Sequence, residues 1–340
     1  MKTTTFPSVL ESYNSSLLNV TTDTIDAIKI KHNDEDYIIG NLALAEGKSP
    51  HKGINSSPDD LDYQLLLRAG LLIAADDVGT KPISITTGFP HSTYNLNKEA
   101  ASELISKIKS VTRDTRPFGG NGYEEVPINI ERINLIPEIF GAIVAAREGE
   151  MGIRGSMFVV SLGYGTLEFG LTTEDGFVQR TLSSGNGLRY AIDSAMKELS
   201  NTHYLGLRNE HQFDTALKQG NIILNRKRID LSDLRKSVLR QYYENVISPL
   251  IKNTWNDDDF SKTSTLVLVG GGAYYRELVE SFYDEFKGLL KIEIPDNPME
   301  MASTGYCLHA SQKIEYPGTR AVGLDIGNAH TCVSVKSSEE

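Results

Sequence analysis

The chain has 340 residues, of which 39% are hydrophobic and 23% are charged. This length suffices for two domains with sizeable hydrophobic cores. The formal net charge of −11, from 34 basic and 45 acidic residues, argues against non-specific nucleic-acid binding, which requires clustered Lys and Arg. No apolar run approaches the roughly 18 residues of a membrane span, and the N-terminus lacks the apolar core of a signal peptide. We therefore expect a cytoplasmic globular protein.

The first 150 residues predict an alternation of strands and helices. In chain order, the expected elements are a hairpin over 24–39 with a polar turn at 32–36, a helix over 61–75, a strand over 82–89, a helix over 98–111, an irregular loop over 113–125, a strand over 126–136 and a helix over 137–147 with Pro137 at its first position. The Gly-rich segment 148–155 predicts a domain boundary.

The pattern then restarts. The expected elements are strands over 157–162 and 166–172 around a turn at 163–165, a helix after 187, an amphipathic helix over 231–253, a strand over 266–269 leading into three glycines and a helix, a helix over 301–311, a linker over 314–320 and a closing hairpin over 321–335. Strands alternating with helices in both halves predict a parallel-rich α/β architecture. Two similar hairpins suggest a duplicated fold with a cleft between the halves.

The closing hairpin carries the residues best suited to phosphate chemistry. Gly327 and Asn328 suit a turn with positive φ, and the backbone N–H groups of such a turn can converge on an anion. Asp325 ends the first strand beside that anion, where a carboxylate can hold Mg²⁺ through water. Taken alone, the motif is equally compatible with a Gly-Asn turn that serves only structure.

Three further motifs strengthen the functional interpretation. A second such turn contains the hydroxyl residue Thr166. The glycines at 270–272 let the backbone approach a flat ligand closely, although a lone triplet is typical of a flexible turn. Glu138 lies in the first turn of a predicted helix, where a lone carboxylate would simply complement the helix dipole.

Together with the segment 301–306, these motifs resemble the actin-like ATPase superfamily, which includes actins, sugar kinases and heat-shock chaperone ATPases. The two turns resemble its phosphate-1 and phosphate-2 motifs, and the Gly triplet resembles its adenosine motif. The helices at 137 and 301 resemble its two interdomain connections. Segments 6–9, 36–43 and 86–90 are similar to the plasmid-segregation (ParM-like) branch and its archaeal relatives. The resemblance covers essentially the whole chain.

The resemblance implies the actin-like ATPase fold, with two duplicated α/β domains around a nucleotide cleft. Domain I would comprise 1–150 completed by 300–340, and domain II would comprise 151–299. In the family, the segment matching 6–9 follows the phosphate-1 hairpin, whereas here that hairpin closes the chain. The resemblance therefore implies a circular permutation, with 312–320 as the joining linker.

The resemblance also implies ATP or ADP and Mg²⁺ as cofactors. It assigns phosphate binding to Gly327, Asn328, Ala329, Gly163, Tyr164, Gly165 and Thr166, adenosine binding to Gly270, Gly271, Gly272 and Tyr274, the metal to Asp325 and Ser161, and orientation of the attacking water to Glu138. Ser161 departs from the family pattern, because an Asp is usual there. Tyr164 replaces a Gly, and Glu168 replaces a second Asp. We therefore expect weaker Mg²⁺ binding or slower hydrolysis.

The function implied by the resemblance is that of a filament-forming cytoskeletal ATPase, moving plasmid DNA through an adaptor protein without itself binding nucleic acid or a membrane. Two alternatives stay open. One is a nucleotide-binding regulatory or structural protein that does not hydrolyse, which Ser161 favours. The other is a small-molecule phosphotransferase of the same superfamily, for which no clear catalytic Asp near a sugar pocket is found.

The remaining reactive residues suggest structural roles. Cys307 and Cys332 lie in apolar surroundings without metal or redox spacing, so we expect two buried, reduced thiols. His330 follows the phosphate turn and is expected to be solvated rather than to contact a ligand. The acidic run 257–259 predicts a solvated loop.

Overall fold

A computed structural model describes residues 1–13, 23–47, 50, 53–116, 122–205 and 210–336 of the chain. The chain forms two compact units: unit 1 comprises 1–150 and 302–340, and unit 2 comprises 151–301. Part of the irregular loop expected at 113–125 lies outside the described residues. No helix in the described part of the chain is both long and apolar enough to cross a membrane.

The main sheet of unit 1 joins the two ends of the chain. Its strands, in spatial order, are β1 (Lys2–Pro7), β18 (His330–Val335), β17 (Arg320–Ile326), β5 (Ile83–Thr87) and β8 (Ile130–Leu135). β18 pairs antiparallel with both β1 and β17, and Lys2 is the Cα partner of Val335. β17, β5 and β8 run parallel. The closing hairpin predicted from the sequence thus forms two inner strands of the sheet, between β1 and β5.

A second, antiparallel sheet completes the strands of unit 1. In spatial order it comprises β2 (Leu10–Ser12), β4 (Glu35–Ile39), β3 (Ile28–His32), β6 (Ser110–Asp114) and β7 (Tyr123–Pro127). Asn33 and Asp34, both with positive φ, form the turn between β3 and β4, which confirms the predicted hairpin.

Helices cover both faces of the unit 1 core. They are α1 (Asn41–Glu46), α2 (Leu61–Val78), α3 (His91–Lys107), α4 (Glu138–Glu148) and α11 (Met301–Gln312), the last of which begins one residue before the boundary of unit 1. α2 is apolar on nearly all sides and is correspondingly buried. Leu324 of β17 packs against it so closely that a Cβ on Gly70 would lie 2.5 Å from the leucine Cδ1.

The main sheet of unit 2 has the same plan. Its strands, in spatial order, are β11 (Gly176–Phe177), β10 (Thr166–Thr173), β9 (Met157–Leu162), β15 (Thr265–Val269) and β16 (Lys291–Glu293), with β12 (Ser183–Asn186) also paired to β10. β9 and β10 are antiparallel, whereas β9, β15 and β16 are parallel. A separate hairpin comprises β13 (Asn221–Leu224) and β14 (Lys227–Asp230).

The helices of unit 2 are α5 (Arg189–Ser200), α6 (Glu210–Gln219), α7 (Ser232–Tyr242), α8 (Ser248–Thr254), α9 (Asp257–Phe260) and α10 (Arg276–Glu285). α7 and α8 are joined by a π-helical turn at 243–247, so the amphipathic helix expected over 231–253 is confirmed as one continuous run with a local change of hydrogen bonding.

Some predicted elements are wrong in their bounds. The helix expected over 98–111 begins at His91 and ends at Lys107, because residues 110–114 form β6. The strand expected over 126–136 is two strands, β7 and β8, in different sheets. Pro137 is the N-cap of α4 rather than its first residue.

The acidic run 257–259 is helical. The prediction that it forms a solvated loop is therefore wrong, most clearly for Asp259. Its carboxylate forms a capping box with Asn256 and an ion pair with Arg180, and Asp259 is fully buried. The hydrogen bond from Arg180 lowers the pKa of Asp259 to about 2. Cys307 and Cys332 are buried free thiols, as expected.

The first prediction concerns the closing hairpin. Leu324→Ala should lower the free energy of unfolding by about 2–5 kcal/mol, because it opens a cavity in the centre of the unit 1 core. Chemical denaturation would measure the change. The matched control is Leu96→Ala, since Leu96 is 81% exposed and its replacement should change stability by no more than about 0.5 kcal/mol. Equal effects of the two substitutions would contradict the assignment of β17 to the core.

Candidate functional site

Each unit carries a tight three-residue hairpin turn, and the two turns share a steric constraint. The turn is 163–165 in unit 2 and 327–329 in unit 1. A Cβ atom on Gly163 would lie 2.5 Å from the carbonyl oxygen of Thr166, and one on Gly327 would lie 2.7 Å from that of His330. Because real Cβ contacts essentially never fall below 3.0 Å, the first position of both turns admits only glycine.

The positive φ expected at Gly327 and Asn328 is wrong, since neither residue adopts it. With three residues between the strands rather than two, the turn needs no left-handed backbone at these positions. The glycine is required for space instead, because the carbonyl of His330 occupies the place of a Cβ.

The third residue of each turn is held in the same way. The N–H of Ser8 donates to the carbonyl of Ala329 (2.8 Å), and the N–H of Gly187 donates to the carbonyl of Gly165 (3.2 Å). These donors directly follow β1 and β12, which pair with β18 and β10 at equivalent registers. Within the described residues, the N–H groups of Gly165 and Ala329 have no backbone carbonyl as acceptor, which leaves them able to donate to an anion.

A loop before α2 supports the turn of unit 1. The N–H of Asn55 donates to Oδ1 of Asn328 (2.6 Å), and the side-chain amide of Asn328 donates to Oδ1 of Asn55 (2.9 Å). Nearby, the buried hydroxyls of Ser8 and Thr331 lie 2.8 Å apart. Asn328 therefore fixes the turn through its side chain. His330, partly buried, is the first residue of β18.

The turn of unit 2 is supported by the start of α5. The N–H groups of Leu188 and Arg189 donate to the carbonyls of Gly163 (3.0 Å) and Tyr164 (2.9 Å). The Tyr164 ring is buried and stacks on His211, with 5.3 Å between ring centroids. Tyr164 thus packs into unit 2, and its backbone contributes to the turn.

Two carboxylates interact beside the turn of unit 1. Asp325 is on β17, opposite Cys332, and Glu138 is the first residue of α4. Burial raises the pKa of Glu138 to about 7. Burial and, after it, the negative charge of Glu138 raise the pKa of Asp325 well above its ordinary value. A cation between them would remove the repulsion that both side chains now bear.

Close helix packing brings these carboxylates together. A Cβ on Gly305 of α11 would lie 1.7 Å from the carbonyl oxygen of Gly141 in α4. A Cβ on Gly323 of β17 would lie 2.0 Å from the carbonyl oxygen of Ser303 in α11. α11 therefore contacts both α4 and β17 through their backbones, and so holds the helix that begins with Glu138 close to the strand that carries Asp325.

The chemistry of this pair fits Mg²⁺. Mg²⁺ prefers oxygen ligands and is usually held by one or two carboxylates, with phosphate oxygens and water completing its shell. No group of three or more His, Cys, Asp or Glu side chains suited to a metal occurs among the described residues. Asp325 would thus be the carboxylate that holds a metal arriving with its phosphate ligand, with Glu138 beside it.

Ser161 occupies in β9 the place that Asp325 occupies in β17, two residues before the turn glycine. It is buried, and its cross-strand partner is Glu168. Glu168 is 1% exposed and accepts a hydrogen bond from the hydroxyl of Ser184 (3.2 Å). In unit 2 the carboxylate is therefore on the second strand of the hairpin, where unit 1 has Cys332.

The Gly triplet lies next to the turn of unit 2. Gly270 has φ +86°, and a Cβ there would lie 2.8 Å from the backbone of Leu162, the residue before the turn. Gly271 begins a short 3₁₀ turn, and Gly272 is buried against Leu162. The Tyr274 side chain is 52% exposed.

Sequence reasoning missed three supporting residues: Ser8, Asn55 and His211. The contacts of Asn55 with Asn328 join positions 273 residues apart, and no local sequence pattern predicts them. Ser8 could have been found from its place directly after the first strand. His211 carries no signal in its own segment, because its stacking partner is 47 residues earlier in the chain.

The second prediction follows from the raised pKa values. Without divalent cations, raising the pH from 5 to 8 should destabilise the protein, because Glu138 ionises at a higher pH when folded than when unfolded. This stability is present below the unfolded pKa of about 4.5 and is lost as the pH rises through about 7.

Glu138→Gln should reduce this loss and raise the melting temperature at pH 8. Melting curves in EDTA at several pH values would measure both effects. The control is Glu150→Gln, since Glu150 is exposed. Identical pH dependences for all three proteins would contradict the coupling of the two carboxylates.

No family model and no curated protein matches the sequence. Solved structures do match. They include the pCBH ParM non-polymerisable quadruple mutant (TM-score 0.73, 21% identity, 90% of this chain and 92% of that chain covered) and the ParM of a 15-stranded filament from Clostridium botulinum (0.70, 20%, 90% and 92%). A third is Ta0583, an archaeal actin homolog, in complex with ADP (0.67, 20%, 91% and 92%).

These matches span nearly the whole of each chain at about one identical residue in five. They confirm the expected fold, while the circular permutation stays a prediction. The chain has the actin-like ATPase fold seen in ParM proteins and in archaeal actin homologues.

Proposed function

We propose that the chain is a cytoplasmic, actin-like cytoskeletal protein that binds ATP or ADP with Mg²⁺, hydrolyses ATP slowly and assembles into filaments. The observation that carries the proposal is the pair of neighbouring carboxylates, Asp325 and Glu138, beside the unit 1 turn. The fold supports it, as do an ADP complex and a filament among the structures of similar fold.

In this proposal, the backbone N–H groups of each turn donate to phosphate oxygens. The carbonyls of Gly165 and Ala329 are already bound by Gly187 and Ser8, so the turns keep their shape without a ligand. Preorganised donors of this kind stabilise negative charge without having to reorder. The two turns also contain Gly163, Tyr164, Gly327 and Asn328, and Thr166 follows the unit 2 turn as the first residue of β10. The adenosine would contact Gly270–Gly272 and Tyr274.

Asp325 would hold Mg²⁺, which supplies charge neutralisation at the phosphates. Glu138 would orient the attacking water. Its carboxylate has a pKa of about 7 and can therefore accept a proton near neutral pH. Ser161 carries no charge, so unit 2 would contribute less to the metal and hydrolysis would be slow.

The cellular role follows from the resemblance alone: movement of plasmid DNA through an adaptor protein. The net charge of −11 supports an adaptor rather than direct contact with DNA. A nucleotide-dependent regulatory protein without hydrolysis is the second candidate, and Ser161 favours it.

We also assign units 1 and 2 to the two actin-like domains and propose that unit 1 is circularly permuted. The two main sheets support this. β9 and β10 match β17 and β18, β12 matches β1, and β15 and β16 match β5 and β8 in order and direction. Unit 2 begins with its hairpin, whereas unit 1 ends with it.

The third prediction tests nucleotide binding and hydrolysis. Mg²⁺ with ATP or ADP should raise the melting temperature by mass action, and phosphate release should accompany ATP binding. Sedimentation in the same mixtures separates the candidate roles: filaments with phosphate release support the cytoskeletal ATPase, and binding alone supports the regulatory protein. No thermal shift with ATP, ADP or GTP at millimolar concentration would refute nucleotide binding.

Glu138→Ala should lower the rate of phosphate release by about 10²–10⁴-fold, the usual contribution of a positioned general base. Its affinity for ADP should be nearly unchanged. Glu150→Ala is the control and should hydrolyse at the wild-type rate. Unchanged turnover in Glu138→Ala would show that Glu138 serves only the helix terminus.

The fourth prediction tests the permutation. Lys2 and Val335 are direct partners on adjacent antiparallel strands, so a short Gly-Ser linker can join the two termini. The chain would be reopened between Pro317 and Gly318, in the connection from α11 to β17. This rearranged chain, with the hairpin at its start, should fold and bind nucleotide like the wild type. Melting curves with and without Mg²⁺ and ADP would measure both properties.

The control for this experiment carries the same linker but is opened inside β17, between Leu324 and Asp325. Cutting a central strand of the main sheet should abolish cooperative unfolding, because both halves of the strand then lose their fixed place beside β5 and β18. The chain reopened between Pro317 and Gly318 should not behave like this control. If it is insoluble or melts without cooperativity, the permutation is contradicted.

A further inference from the structure

The β13–β14 hairpin stands apart from the sheets of unit 2. Its strands pair only with each other among the described strands. Asn225 and Arg226 form its turn with φ values of +50° and +62°, as in a type I′ turn. Ile222 and Leu224 are buried and anchor it, while Ile223 between them is 64% exposed.

The tip of this hairpin is strongly basic. Arg226, Lys227 and Arg228 are consecutive and exposed. Arg228 donates a hydrogen bond to Oδ1 of Asn221 (3.0 Å). Arg226 and Lys227 have no ion-pair partner in the described part of the chain. In a chain of net charge −11, such a concentration of uncompensated positive charge beside an exposed isoleucine is unexpected.

The turn between β10 and β11 has the opposite charge. Glu174 and Asp175 are exposed there, and neither has an ion-pair partner within the residues that the structure describes. This acidic turn and the basic hairpin tip both belong to unit 2.

The two charged turns lie at opposite ends of one helical run. The run 232–254 is about 34 Å long at 1.5 Å per residue. It starts directly after the hairpin, where the N–H of Leu231 donates to the carbonyl of Gly220 (2.8 Å). Just past its end, Trp255 packs against Phe158 (4.1 Å between centroids), whose cross-strand partner Leu171 lies three residues before Glu174.

From this arrangement we infer an interface between copies of the chain: the basic β13–β14 tip of one copy docks on the acidic 174–175 turn of the next. Opposite charges at opposite ends of one compact unit favour head-to-tail contact, which propagates when the ends do not close into a ring. Charge complementarity sets the register and speeds association, and Ile223 adds apolar contact. The inference rests on the self-association in the proposed function.

Charge reversal at each end tests this interface. One variant carries Arg226→Asp and Lys227→Glu; Asp is tolerated at the positive φ of position 226. The other carries Glu174→Lys and Asp175→Lys. Each alone should raise the critical concentration for assembly at least about tenfold, because like charges then meet. The control carries Lys197→Glu and Lys287→Glu, at exposed positions, and changes the net charge as the first variant does.

An equimolar mixture of the two reversed variants is the decisive measurement. Every contact in an alternating copolymer would again join opposite charges, so the mixture should sediment with nucleotide near the wild-type critical concentration. Assembly of each variant alone like the wild type, or a mixture that stays monomeric, overturns the interface. A wild-type chain that never assembles, yet binds nucleotide, overturns self-association itself and the interface with it.

Discussion

The placement of residues 320–335 in the centre of the unit 1 sheet is the constraint on which the rest of that unit depends. β18 is the partner of β1, and β17 is the parallel neighbour of β5. The first strand of the chain therefore has no partner until the last strand is present. Contacts between Lys2 and Val335 have almost the greatest sequence separation the chain allows, and such contacts are slow to form. The same strands carry Asp325 and the turn, so completing the fold and completing the site are one event.

The packing of α11 holds Glu138 and Asp325 close together, which lowers the stability of the folded protein. The backbone contacts of Gly305 and Gly323 leave α4 and β17 little freedom to separate Glu138 from Asp325. Burial raises the pKa of both carboxylates, and the negative charge of Glu138 raises the pKa of Asp325 further, before any cation arrives. Functional sites commonly contain arrangements that lower the stability of the protein, and the surrounding core offsets this loss of stability. A cation with a phosphate would then be favoured by relief of repulsion as well as by attraction.

Much of the fold could be predicted from the sequence, because buried strands such as β9 and β15 are continuous apolar runs ended by glycine. The start of α3 could not, since its first turns are mostly exposed and carry no apolar period. Asp259 looked solvated because its partner Arg180 is 79 residues away. At the candidate site, the acidic and glycine positions were visible in the sequence. The steric reason for Gly327 was not, because the carbonyl that crowds it is a three-dimensional contact.

The two hairpins show which features of the site depend on side chains and which do not. Gly163 and Gly327 keep the same steric role, and the bound carbonyls of Gly165 and Ala329 keep equivalent partners in the backbone. The acidic residue is not kept: Asp325 is matched by Ser161 in the other unit. Anion binding through N–H groups requires only a glycine and a suitable backbone conformation, so it tolerates wide change in sequence. Metal binding and proton transfer require particular side chains, and the two carboxylates proposed for them, Asp325 and Glu138, both belong to unit 1.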